Sequence, residues 1–507
     1  MRKIILALSL MVGMSATAQD FQIVKGNCLP DLESGTNRAP GRYKLPAINS
    51  EWDATKTYHQ LVVLLEFVDE QFHCENPQEY YDKMLNEPGY NQGAGAGCMA
   101  DYFREQSNGL FNLQFDVYGP YAVSQKAQPY ETPNKDTRNS GRDSFREATQ
   151  KLLEEHPDID FSQYDWNNDG SVNQVIFVYA GYGGNNGAKT YGHIWPNTSS
   201  FTSITTLDGK KISAYSASGE IWPTSTPRSC GIGTICHEFS HSLGLPDIYP
   251  TNGVAYSVCD EWDLMDGGNF TNYGWCPPNF TSIEKMLLGW LTPIELTEAA
   301  SIVNLKPVSE GGEVYMANYY PYVEEPSEAR ADDEGNLRVL IENRRQTRWD
   351  AGAPGNGLMI WYLDYDESAW RNNTPNNRKD DPRFRPVYAD GLDYAAWAAK
   401  IAEQELSNYQ NSNRMNKRHL STAVFPYEYR NAVEECNISN ITVDENGLVS
   451  FDFMGGDPSA IRTVSTATSS TALMRYDLSG RQVTTSVKGQ MYIVRQADGM
   501  TKIVIEK

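Results

Sequence analysis

Between Thr234 and Tyr249 the chain reads TICHEFSHSLGLPDIY, and no other stretch restricts the fold so tightly. Residues four apart share one face of a helix. In a helical segment His237 and His241 therefore present two imidazoles to one ion, each at about 2.0–2.1 Å for zinc. Glu238, beside the first imidazole, is suited to take a proton from metal-held water rather than to bind the metal. Gly244 permits a sharp turn and Pro246 stops the helix. The turn brings Asp247 back as a third ligand, leaving a fourth position for water, as catalytic zinc requires. H-E-x-x-H alone arises by chance, and its plain alternative is a helix with two satisfied histidines. The appended G-x-x-D, in a chain with only seven histidines, favours the metal. Met265, in the turn-like EWDLMDGG, has the position of a methionine packed beneath such a site, although a core filler is its ordinary role.

The rest of the sequence sets the context. The first residues, MRKIILALSLMVGMSATAQ, have the charged, apolar and small-residue order of a secretory signal, with cleavage expected after Ala18. No later apolar run approaches the ~20 residues needed to span a bilayer. The 507 residues carry a formal net charge of −22, which repels phosphate backbones and argues against nucleic acid as a partner. Eight cysteines permit disulfides in an exported chain. Cys259 and Cys276, which bracket Met265, are a candidate pair.

Six segments are expected: a signal over 1–18, a leader over 19–45, an α/β catalytic domain over 46–295, a β-sandwich-like domain over 296–456, a Ser/Thr-rich linker over 457–472 and a small β domain over 473–507. Strand candidates (HQLVVLLEFVDEQF, LFNLQFDVYGPYAV, VNQVIFVYAGYGG) interleave with helix candidates (NPQEYYDKMLN, GCMADYFREQSNG, RDSFREATQKLLEEH) up to about Trp290. Beyond it, short segments such as NLRVLIENRR, GLMIWYLDYD and GLVSFDFMG are punctuated by turn residues.

HEFSHSLGLPDIY, WDLMDGG and PNFTSIEKMLLGWLTP together resemble the secreted immune inhibitor A-like zinc metallopeptidases, a metzincin-type family. The resemblance extends over roughly residues 60–455. It implies a metzincin-like zinc peptidase core, hydrolysis of peptide bonds in protein substrates, zinc on His237 and His241, Glu238 as the catalytic group and Met265 in the Met-turn. Asp247 is the third ligand it implies, with Asp260 and Glu261 as competitors. Ser240 replaces a common Gly, and Tyr362 stands where the family's GLLIWH pattern has His. The tail YDLSGRQV…KIVIEK resembles sorting domains of the type IX secretion route, implying passage across an outer membrane through that machinery.

Asp165, Asn167 and Asp169 in DWNNDGSVN open like a calcium loop, but the twelfth position is Ile176, and an Asx-rich turn is the plainer reading. His193 and Trp195, in YGHIWPN, are candidates for an edge that pairs with extended substrate, and His193 for a further zinc ligand. Cys28 or Asp31 in the leader is a candidate zinc cap for latency. Two rivals to a peptidase stand: an adhesive protein with a catalytically silent core, and a structural zinc closed by a fourth protein ligand.

Overall fold

The computed structural model describes residues 50–456 apart from 91, 93–94, 129–139, 187–192, 223–227, 253–257, 320–336, 379–380, 393–422 and 427–430, and further on the strands 461–463, 474–476, 482–483, 491–495 and 501–505. The signal, the leader, Cys28 and Asp31 lie outside the described residues.

The first sheet is built from β1 (Thr57–Glu66), β2 (Asn112–Ala122), β3 (Val175–Tyr182), β4 (Asn197–Thr205), β5 (Lys211–Trp222) and β6 (Arg228–Ser229), in the order β2-β1-β3-β5-β4 with β6 on β5. Strands β2, β1, β3 and β5 are parallel, and β4 joins antiparallel to β5. β1 and β3 read as continuous apolar runs because both their faces are covered, as parallel strands require. Val62, Leu64, Ile176 and Val178 face one layer, while Leu61, Val63, Val175 and Phe177 face the other. The first layer holds helices α1 (Pro77–Asn86), α2 (Met99–Gln106) and α4 (Gly233–Ser242); α3 (Arg142–Glu155) covers the second.

After α5 (Ser282–Leu287) come β7 (Ile294–Glu295), β8 (Ala300–Leu305), β9 (Tyr315–Asn318), β10 (Leu337–Arg344), β11 (Gly357–Asp364), α6 (Glu367–Arg371), β12 (Phe384–Pro386), β13 (Val424–Phe425), β14 (Ile438–Val443), β15 (Val449–Phe453) and β16 (Ile461–Thr463). They form a second sheet, β12-β11-β10-β9-β7 with β13 on β11, and a third, β14-β15-β8-β16. Successive residues of a strand point to opposite faces. Val339, Ile341, Leu358 and Ile360 meet the third sheet; Leu340, Met359, Trp361 and Leu363 enter the same apolar cluster as α2, α4 and Met265. The division expected at 295 is therefore no gap in the core. Ile461–Thr463, expected in a linker, pair with Ser301–Val303 of β8. β17 (Met474–Tyr476), β18 (Gln482–Val483), β19 (Met491–Arg495) and β20 (Thr501–Ile505) make a fourth sheet.

A buried ionic cluster joins the two regions. The Arg344 guanidinium at the end of β10 grips Asp350 through Nε at 2.9 Å and one terminal nitrogen at 2.7 Å. Its other terminal nitrogen reaches Glu342 Oε1 at 3.1 Å. Asp350 Oδ1 accepts from the Asn279 amide at 2.9 Å, just before α5.

The seven described cysteines are free thiols, so the Cys259–Cys276 pairing does not form. The two side chains point to different partners: Cys259 Sγ to Phe384 O at 3.8 Å, Cys276 Sγ to the carbonyls of Arg348 and Trp349 at 3.2 Å. Among the described residues no helix is long and apolar enough to cross a membrane.

Candidate metal and active site

α4 carries the first two ligand candidates. It starts where Gly233 lies against the loop that follows Met265; a Cβ there would stand 2.1 Å from Asn269 O. It ends as the spacing suggests: Gly244 adopts φ +100°, and the amides of Gly244 and Leu245 bond back to His241 O and Ser240 O. The reversal carries Asp247 beneath the helix.

His237, His241 and Asp247 form the group of potential metal ligands found among the described residues, their ligand atoms all within 4.8 Å of one another. Asp247 Oδ1 lies 3.2 Å from Nε2 of each histidine. The Nδ1 atoms face carbonyls, His237 toward Leu264 O and His241 toward Leu245 O, both at 2.8 Å. A carbonyl only accepts, so each Nδ1 carries a hydrogen and each Nε2 is the ring atom turned inward, the arrangement in which outer hydrogen bonds orient metal-binding imidazoles. The rings stand 4.9 Å apart and perpendicular. Asp260, Glu261 and His193 do not join this group.

The group is buried, His237 and Asp247 fully and His241 at 3 % exposure. Burial alone would lower the His241 pKa, but the Asp247 carboxylate facing it outweighs this and pushes it up to about 9. For Asp247, burial acts upward and is overcome by the two imidazoles, which hold the carboxyl well below its usual range. Among the described residues His241 Nε2 and Asp247 Oδ1 make no aligned hydrogen bond despite their burial. Two nitrogens and a carboxylate oxygen, buried and crowded together, are the donor set zinc takes with one position left open. The residues fit the ion.

Glu238, on the next position of α4, is fully buried. Thr198, the second residue of β4, sets its Oγ1 2.7 Å from Glu238 O and 2.9 Å from Oε2. Met265 is buried in the same cluster, and its carbonyl accepts from Ile248 N at 2.8 Å, so the turn and the ligand loop brace each other. Under the turn, the Asp263 and Glu284 carboxyl groups lie side by side, both buried. Asp263 is pushed well above the usual range by burial and by Glu284 beside it, and burial pushes Glu284 up to about 7.

The remaining candidates sit elsewhere. Asp165 accepts from the amides of Asp169 and Gly170 at 3.0 and 2.9 Å, and from Lys210 Nζ at 2.6 Å. Asn167 donates to Asp169 Oδ2 at 3.0 Å. This loop is closed by its own N–H groups and by the Lys210 ammonium. His193 and Trp195 are half-buried just before β4; the His193 ring stands edge-on to Tyr182 with centroids 6.3 Å apart. Sequence reasoning missed Thr198 and Asn373, whose Nδ2 donates to Asp247 Oδ2 at 2.7 Å. The Asn-rich run RNNTPNN was the available signal for the second.

Residues 50–288 match the family described as immune inhibitor A peptidase M6, catalytic domain, a narrower span than the 60–455 of the resemblance read from sequence. Immune inhibitor A of Bacillus thuringiensis subsp. alesti is 26 % identical over 242 residues, 41 % of this chain and 34 % of that protein. The pre-pro-metalloprotease PrtV of Vibrio cholerae serotype O1 is 26 % identical over 239 residues, 42 % of this chain and 26 % of that protein. The alignments thus span about a third or less of these relatives.

Proposed function

We propose that this chain is an exported zinc endopeptidase of the metzincin type, working at His237, His241 and Asp247 with Glu238 as general base and acid. One observation carries the reading: both Nε2 atoms lie 3.2 Å from the same Asp247 oxygen while the Nδ1 atoms are tied to carbonyls. The match of residues 50–288 to a peptidase catalytic domain points the same way. An adhesive protein with a silent core has less support, since Glu238 is retained and oriented by Thr198.

His237, His241 and Asp247 would hold the zinc. When bound, zinc polarises the scissile carbonyl and acidifies the attacking water. Glu238 takes the proton of that water and passes it to the leaving amine. Thr198 keeps the Glu238 carboxylate in one orientation. Met265 and Leu264 support the helix from below through the carbonyls that bond Ile248 and His237. β4, at the sheet edge beside Glu238, is where an extended peptide adds as a further strand, with His193 and Trp195 at its entrance. The sandwich-like second and third sheets back the core. The signal over 1–18 and the sorting-type tail over 473–507 would take the protein out of the cell through the secretion machinery.

The test is casein cleavage by the purified chain with and without a chelator. Glu238 and the ligands are buried here, so the assay is run again after limited proteolysis. Cleavage abolished by chelator and restored by zinc is expected. No cleavage in either form, or cleavage indifferent to chelator, overturns the reading.

A further inference from the structure

The third ligand candidate is held by a part of the chain that the peptidase match does not reach. Asp247 meets Asn373 twice: its amide donates to Asn373 Oδ1 at 2.6 Å, and Asn373 Nδ2 donates to Asp247 Oδ2 at 2.7 Å. With Oδ2 held in this way, Oδ1 is the oxygen turned toward the two imidazoles. Four residues further along both segments the pattern repeats, as Thr251 N donates to Asn377 Oδ1 at 2.7 Å. Between them the buried Asn376 donates to Ile248 O at 2.9 Å and to Phe384 O at 2.8 Å. Thr251 Oγ1 donates to Asn373 O at 2.8 Å, closing the clasp.

Local backbone prepares Asn373 for this. It lies just past the end of α6 with φ +59°, a left-handed conformation that asparagine tolerates better than most residues. β12 then fixes the far end of the segment, because Phe384 N donates back to Asn376 Oδ1 at 2.9 Å.

We infer that Asn373 is a positioning residue for the metal site: it orients the Asp247 carboxylate, so that zinc affinity is set jointly by the motif helix and by residues 373–377. The inference rests on the metal reading above. Carboxylate ligands are themselves held by hydrogen bonds, and loss of such a partner typically costs 10–100-fold in metal affinity. A merely structural clasp would lower the stability of the metal-free fold and leave the affinity of the folded protein alone.

The experiment uses the full chain, with zinc affinity measured by chelator competition and site geometry by the visible spectrum of the cobalt(II) form. Asn373→Gly is the variant, since glycine accepts the left-handed backbone and removes only the side chain. Asp247→Ala serves as reference, and circular dichroism and the melting temperature of the metal-free proteins report folding. The expected result is a folded Asn373→Gly protein with zinc affinity down about 10–100-fold and an altered cobalt spectrum. Wild-type affinity and spectrum in Asn373→Gly, with both lost in Asp247→Ala, overturn the inference while sparing the metal reading. Failure of the wild type to take up zinc, or undiminished uptake by Asp247→Ala, overturns the metal reading and this inference with it.

Discussion

At the residue scale, the ligand motif was legible because its geometry is local: a four-residue spacing on one helical turn, then a glycine reversal. What orients those residues was not legible. Thr198 lies 40 residues from Glu238, and Asn373 lies 126 from Asp247. No pattern of spacing fixes such pairs. The Cys259–Cys276 expectation failed for the same reason, since bracketing a turn in sequence says nothing about where thiols point. The acid pair under the turn makes a prediction of its own. Burial pushes the Glu284 pKa from 4.5 up to about 7, so the folded protein holds this proton more firmly than the unfolded one. That contribution to stability is complete below pH 4.5 and lost as pH rises through about 7. Glu284→Gln cannot ionise, and its amide can accept from Thr281 and donate to Asp263. Thermal melts should show the variant gaining on the wild type between pH 5 and pH 8. Parallel pH profiles would refute the assignment.

At the scale of elements, β1, β3 and α1–α4 were readable from periodicity because each has one strong pattern. The β4–β5 hairpin was not. Its Ser/Thr-rich strands lack apolar alternation, and only the Asp208-Gly209 turn marked it. The strands beyond residue 295 were expected to form a separate sandwich-like domain, yet β10 and β11 are covered on both faces. Leu340, Met359, Trp361, Leu363, Trp370 and Phe384 all lie in the cluster that encloses α4. Six such side chains, at about 1.5–3 kcal/mol each, compare with a whole-protein stability of roughly 5–15 kcal/mol. A chain ending at residue 290 keeps every metal-ligand candidate and Glu238 but is expected to lose cooperative unfolding and near-ultraviolet circular dichroism. A sharp thermal transition in that fragment would contradict the shared core.

At the scale of the whole molecule, the burial of all four site residues is the main fact that composition and motif did not suggest. His237, Glu238 and Asp247 are fully buried and His241 is 3 % exposed. The net charge of −22 was legible at once, and it bears on partners rather than on catalysis. The proposed activity depends on a division of labour in which His237, His241 and Asp247 would hold a metal and Glu238 would move a proton. The direct measurement compares wild type with Glu238→Gln for zinc per chain and for peptide cleavage after limited proteolysis. The same zinc content is expected in both, with a cleavage rate lower by about 10²–10⁴-fold in the variant. Cleavage by Glu238→Gln at the wild-type rate would contradict that division of labour.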